Sequence, residues 1–279
     1  MTILRIIEML AVRFTVRFRP QHLLIAAVLA SAPMLAQTTP QTPAPVAQMA
    51  ADAHPSIEVA TIKPHNPDVS NQSFNTTGDR VKILNQTVSS LMSFAYAIHS
   101  RQIVDAPDWI FHDRYGIEGK TDTTGEPNLR QFQEMLQKLV ADRFQLKFHR
   151  DQRELSVYAI RVTKGGPKLT PAANPTAEPD QQGNSHGTEM TQTYTNCSMS
   201  EFILGMQFFL DRPIVDQTGL TGQYDFTFHY TGDELRTTDP NAPPGLFTAV
   251  QEQLGLKFEP TKASTGVFVI DHIERPSPN

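Results

Sequence analysis

The chain repeats itself with a period near 110 residues, and that period constrains its fold more tightly than any single residue does. Leu146-Lys147-Phe148 returns as Leu256-Lys257-Phe258, and Val157-Tyr158-Ala159-Ile160 returns as Val267-Phe268-Val269-Ile270. Arg101-Gln102-Ile103-Val104-Asp105 returns as Arg212-Pro213-Ile214-Val215-Asp216, and the Tyr115 to Ile117 pair as Tyr224 to Phe226. These blocks hold one spacing to within a residue, whereas chance matches between short apolar runs share no offset. The pattern predicts two copies of one unit, over residues 56–168 and 188–276. Between them a linker over 169–187 carries Pro171, Pro175 and Pro179 among Asn, Gln and Gly.

Within each copy the hydrophobic period switches between two and 3.6. Tyr224, Phe226, Phe228 and Tyr230 alternate with polar residues as a half-buried strand does. Leu129, Phe132, Leu136, Leu139 and Val140 follow helical spacing behind Pro127-Asn128. Phe202, Ile203, Met206, Phe209 and Leu210 mark another helix, opened by the capping-box pair Ser198 and Glu201. Leu246, Phe247, Val250 and Leu254 mark a third, which Gly255 can close in a left-handed conformation. Leu91, Phe94 and Ile98 mark the first. Separate strands are expected at 81–84, 101–104, 146–149 and 157–162. Helices with one apolar stripe must cover one sheet face, and mostly hairpin-length connections favour antiparallel pairing. The expected class is α+β, internally duplicated, each copy a mainly antiparallel sheet with two helices on one face.

The N-terminus reads differently. Arg5, Arg13, Arg17 and Arg19 precede an uncharged apolar run from Leu23 to Leu35, the order of a signal peptide over residues 1–36. The run is short for a bilayer-spanning helix, which needs about 20 residues. Export to the periplasm or beyond is expected, with membrane attachment only through an uncleaved signal. Residues 37–55 hold Pro40, Pro43, Pro45 and Pro55 and read as a tether. The net charge is −5, and beyond the Arg-rich first 36 residues 20 basic face 28 acidic side chains, a net −8 that argues against a nucleic-acid partner. The single Cys197 excludes an intramolecular disulfide.

Several blocks together carry a family resemblance. They are Ile57 to Pro64, Ala106-Pro107-Asp108-Trp109 followed by Asp113-Arg114-Tyr115, Leu139 to Phe144, Gly165 to Lys168, Asp216 to Gly222 with Tyr224-Asp225-Phe226, and Gln251 to Leu256. Over about residues 57–276 the chain resembles a soil-associated family of exported bacterial proteins. That family has many paralogues, some joined to an antibiotic-sensor-type transmembrane metallopeptidase, and its domain has no assigned function. The resemblance implies export and supplies no catalytic residue. Residues 246–270 also resemble a short periplasmic signalling module that precedes secretins and TonB-dependent channels and docks other proteins.

The chemistry-bearing residues form no recognisable motif. The nine His show neither His-x-x-x-His nor His-Glu-x-x-His spacing, and no second Cys is present, so no metal or other cofactor is expected. His149 and His229 sit on strands, and Ser185-His186 falls in the linker. Cys197 precedes a helix start that could lower its pKa, without a base near it in sequence. Asp105 and Asp216 match between the copies and suggest a shared turn contact. Trp109, the only Trp, lies with Asp108 between two strands, near Tyr96 at the end of the first helix. An amphipathic ring in a polar loop suits an anchor for an envelope protein or a glycan. Trp109, Asp108 and Tyr96 are therefore the candidate partner-binding residues. The expected function is a non-enzymatic extracytoplasmic binding or signalling module. The alternatives are a hydrolase acting on cell-wall or plant-derived polymers, and an assembly component that pairs through an exposed sheet edge.

Overall fold

The computed structural model describes residues 47–65, 71–232 and 242–277, so the expected signal peptide lies outside the described residues. In chain order the elements are β1 (Ile57–Pro64), β2 (Ser73–Thr77), β3 (Arg80–Thr87), α1 (Val88–Tyr96), β4 (Ile103–Val104), α2 (Trp109–His112), β5 (Arg114–Thr121), α3 (Leu129–Arg143) and β6 (Lys147–Val162). There follow β7 (Thr170–Pro171), β8 (Asp180–His186), β9 (Glu189–Cys197), α4 (Met199–Met206), β10 (Ile214–Asp216), β11 (Tyr224–Thr231), α5 (Leu246–Leu254) and β12 (Leu256–His272). The protein mixes helices with three four-stranded sheets, ordered β1-β5-β3-β2, β10-β6-β12-β4 and β7-β11-β9-β8.

Local chemistry sets the helix ends. Thr87 Oγ1 accepts from the Ser90 amide to open α1, and Asn128 with Gln131 and Ser198 with Glu201 form reciprocal capping boxes at α3 and α4. α5 closes at Gly255, φ 66°, where a Cβ would collide with the Gly166 carbonyl oxygen.

Two apolar clusters flank the middle sheet. One joins α1 and α3 to the first sheet and to Phe268 and Ile270 of β12. The other joins α4 and α5 to the third sheet and to Ile160, Leu256 and Phe258. Between them runs a ribbon in which β6 lies antiparallel to β12, with Phe148 opposite Ile270 and Ile160 opposite Phe258. The short strands cross over. β4 lies parallel to β12 with Ile103 opposite Phe268, while β10 lies parallel to β6 with Ile214 opposite Tyr158.

Three expectations need correction. The strands expected at 146–149 and 157–162 are parts of the single strand β6, and the blocks around Phe258 and Phe268 are likewise parts of β12. Their middle residues are mostly exposed, so the apolar alternation fades there although the pairing continues. The 169–187 segment is more than a linker: it supplies β7 and β8, and β8 pairs with β9 along its whole length. The end of the 37–55 tether is docked. Met49 is buried, its amide donates to Glu126 O at 2.9 Å, and the Gln131 side chain donates to Ala50 O at 2.7 Å.

Phe258 is buried under α5, its ring centroid 5.7 Å from that of Phe247. Phe148 is only half-buried and packs on Tyr96 of α1 and Phe268 of β12. The two sites are therefore unequal. Phe258→Ala is expected to cost about 3–5 kcal/mol and Phe148→Ala about 1–3 kcal/mol, whereas exposed Lys147→Ala changes stability by less than about 0.5 kcal/mol. Because both clusters share β6 and β12, urea titration should give one cooperative transition for each variant.

Candidate functional site

The three residues expected to bind a partner occupy two places. α2 is a single turn that begins directly after Pro107-Asp108. Asp108 is exposed, and its carboxylate lies 3.3 Å from His112 Nε2. Trp109 is half-buried against the N-terminal cluster, and the Arg275 guanidinium carbon sits 4.9 Å from its ring centroid. Arg275 is in turn held by Asp113 Oδ2, 2.9 Å from both Nε and Nη2. A cation over an indole face is worth about 0.5–1 kcal/mol at an exposed site, so the C-terminal segment braces the ring without hiding it.

Tyr96 closes α1 and also packs against this cluster. Its ring meets Phe148 and Phe268 edge-on at 5.1 Å each, and those two stack at 4.3 Å with Arg150 over Phe268. Burial raises the Tyr96 hydroxyl pKa, which the Arg150 charge partly offsets. Among the described residues no ring contact joins Tyr96 to Trp109, although both pack against the same cluster.

A second polar constellation, absent from the sequence expectation, lies where the two clusters meet. His99 is 5% exposed; its Nδ1 accepts from the Arg101 amide at 3.0 Å, which leaves Nε2 to donate to Leu210 O at 3.1 Å. The Gln102 side chain accepts from the His99 amide and donates to Gly266 O at 2.8 Å. Nearby, Tyr158 donates to Asp211 Oδ1 at 2.9 Å, and Arg212 lies over the Tyr158 ring at 5.2 Å while its Nε reaches Asp211 Oδ2 at 3.3 Å. Burial and the Arg101 charge lower the His99 pKa against the opposing pull of Leu210 O and Asp211. For Asp211, burial acts upward, but the hydrogen bonds from Tyr158 and Arg212 outweigh it and hold the carboxyl below its ordinary value. The sequence signal was present in the matched blocks at Arg101 and Arg212; what it lacked was any sign that they meet.

The nucleophile and metal candidates fall elsewhere. Cys197 is buried with Sγ donating to the Asp180 and Thr195 carbonyls, and burial, helped by the Glu201 charge, pushes its pKa up to about 12. Desolvation thus outweighs the helix start that could have lowered it. Ser185 and His186 end strand β8, both exposed. His229 Nδ1 meets Thr191 Oγ1 at 2.9 Å. His54, His112, His149 and His272 each face one carboxylate, on Glu134, Asp108, Asp271 and Glu274. Among the described residues no group of three or more His, Cys, Asp or Glu could hold a metal ion. Asp216 accepts from the amide and hydroxyl of Thr218 in a turn, whereas its counterpart Asp105, at φ 55°, pairs with Arg153 at 2.6 Å, so the two do not share a task.

Residues 89–273 match the family model DUF3738, described as a protein of unknown function. No curated protein and no solved structure matches the chain. Among the described residues no helix is long and apolar enough to cross a membrane.

Two outcomes follow from the burial of His99 and Cys197. A folded-state pKa below the ordinary value of about 6.5 means that His99 stabilises the fold fully above that value, and that this contribution falls as acid protonates the ring. Urea unfolding of the wild type should therefore lose more stability between pH 7.5 and pH 5 than His99→Gln does. Iodoacetamide at pH 8 should leave Cys197 unmodified in the native protein and alkylate it in urea, as mass spectrometry would register.

Proposed function

We propose that this chain, which belongs to the DUF3738 family of proteins of unknown function, is an exported, non-enzymatic binding or signalling module whose anchor is Trp109 with Asp108 beside it. The observation that carries this reading is the state of the Trp109 ring: partly exposed, and braced by Arg275. An aromatic group fixed before binding loses little conformational freedom on association, which favours its use as a hot spot. The partner class is an envelope protein or a glycan, both of which present surfaces that an indole face and a carboxylate can meet. Export rests on the Arg-rich start followed by the apolar run to Leu35. Tyr96 is proposed only as a secondary contact, since its ring is shared with Phe148 and Phe268.

The same reading takes the chain as internally duplicated. Several correspondences support it at the offset of about 110 residues. Ile103 beside Phe268 corresponds to Ile214 beside Tyr158, and Phe148 opposite Ile270 corresponds to Phe258 opposite Ile160. Asn85 and Asn196 both take positive φ, 56° and 54°, directly before the helix-opening turns at Thr87 and Ser198.

Because the chain has one Trp, its emission reports this site alone. Titration with soluble cell-wall glycans and fractionated envelope proteins should shift or quench Trp109 fluorescence for a true ligand. Trp109→Ala should weaken that binding, measured calorimetrically, by about tenfold or more while leaving the circular dichroism unchanged. Release of new reducing ends or cleaved peptide by the purified protein would favour the hydrolase reading instead.

A further inference from the structure

The long strand β6 is covered unequally on its two edges. β12 pairs with it from Lys147 to Val162, but on the far edge β10 meets only Tyr158, Ala159 and Ile160. The bonds Tyr158 N to Pro213 O at 2.8 Å and Gln217 N to Ile160 O at 3.0 Å set the parity of that edge. Even-numbered residues turn their main-chain groups away from β12, so Phe148, Arg150, Gln152, Glu154 and Ser156 present them outward. Among the described residues the only partner on this stretch is local: the Gln152 amide donates to the Asp151 carboxylate at 2.8 Å. Arg150, Asp151, Gln152 and Glu154 are all exposed. An uncovered edge of this length is a template for another strand unless the sequence blunts it.

The corresponding edge of β12 is blunted. Pro260 has no N–H to offer, Lys262 stands in the middle, and Gly266 O is already taken by the Gln102 side chain. The β6 edge carries no proline and has a self-complementary order of charge, Arg150-Asp151-Gln152-Arg153-Glu154. When two such strands run antiparallel about Gln152, Arg150 stands opposite Glu154 of the second copy and Asp151 opposite its Arg153, and each match occurs twice. The register obeys the parity, because even residues meet even ones and outward groups therefore face outward groups. It also fits the available length: Phe148 meets Ser156, and the pairing stops where β10 begins beside Tyr158.

We propose that two copies of this chain pair through the open edge of β6, antiparallel and centred on Gln152, to make one sheet continuous across a two-fold dimer. The strand that fits is the chain's own, since one alignment satisfies the parity, the length and four charge matches together. A symmetric contact of this kind closes on itself and leaves no further edge to extend. The present partners of these charges do not oppose it. Arg153 meets Asp105 at 2.6 Å and Asp151 at 3.6 Å, and Lys262 meets Glu154 at 3.7 Å, all at exposed positions where exchange or sharing costs little. A net charge of −5 repels the two copies at long range, while the segment from Arg150 to Glu154 is itself neutral. The pairing uses neither Trp109 nor export, so it stands or falls apart from the proposed anchor.

Sedimentation velocity of the full chain over a wide concentration range tests the proposal, with mild detergent to keep the apolar Leu23–Leu35 run from associating. The wild type should pass from monomer to dimer as concentration rises. Arg150→Glu and Glu154→Arg each set like charges opposite each other twice, and each should raise the concentration at half-dimer by about tenfold or more; the double exchange should recover most of that loss. Gln152→Cys should form a disulfide-linked dimer under mild oxidation while Lys262→Cys does not, and buried Cys197 should take no part. A chain that stays monomeric throughout overturns the proposal. So do a dimer indifferent to both charge reversals, equal cross-linking at positions 152 and 262, and a monomer that accepts an unrelated extended peptide along β6.

Discussion

Antiparallel pairing between β6 and β12 is the constraint from which the rest of the molecule is arranged. Each strand is long enough to enter both apolar clusters, so each cluster is completed by residues of both β6 and β12. Phe268 and Ile270, near the C-terminal end of β12, complete the core built on α1 and α3. Ile160, near the end of β6, completes the one built on α4 and α5. A ribbon of two strands alone is marginal in water. Here it is secured because its two ends are buried under helices and its middle needs only to pair.

This division of labour explains where the chemistry-bearing residues lie. The ends of the ribbon collect aromatic rings with arginines above them, Arg150 over Phe268 and Arg212 over Tyr158. The meeting of the two clusters collects buried polar groups, of which His99 is the most enclosed titratable one. The periphery carries Trp109 under Arg275. Exposed His and carboxylate groups occur mostly as separate pairs, and the one thiol is shielded and protonated.

Much of the secondary structure was legible because burial and periodicity coincide. The strict alternation from Tyr224 to Tyr230 became β11, and the stripe from Leu129 to Val140 became α3, behind the Asn128 cap the sequence announced. Legibility failed where that coincidence lapses. The middle of β6, Asp151 to Glu154, is paired yet mostly exposed, so it read as a break between two strands. The 180–186 stretch is polar on both faces but paired along β9, and composition alone suggested a linker. The Arg101 and Arg212 blocks match in sequence, but a shared offset does not say which strand lies beside which. That is decided by pairing in space, and it put β4 beside β12 and β10 beside β6. Of the candidate site, Asp108 with Trp109 was legible as a local pair, whereas Arg275 lies too far along the chain for its place over the ring to be inferred.

The crossing of the short strands has a consequence for how the chain reaches its native state. β4 finds its partner only when β12 has been made, and the contact from Ile103 to Phe268 spans more than half of the sequence. A molecule dominated by such distant pairings folds slowly, because the entropy of closing large loops is lost before the contacts return it. Until β12 emerges from the ribosome, the N-terminal half must hold Ile103 and Phe148 without the strand they pack against, a state suited to retention by a holding chaperone. Completion of the first core therefore waits on the last strand of the fold.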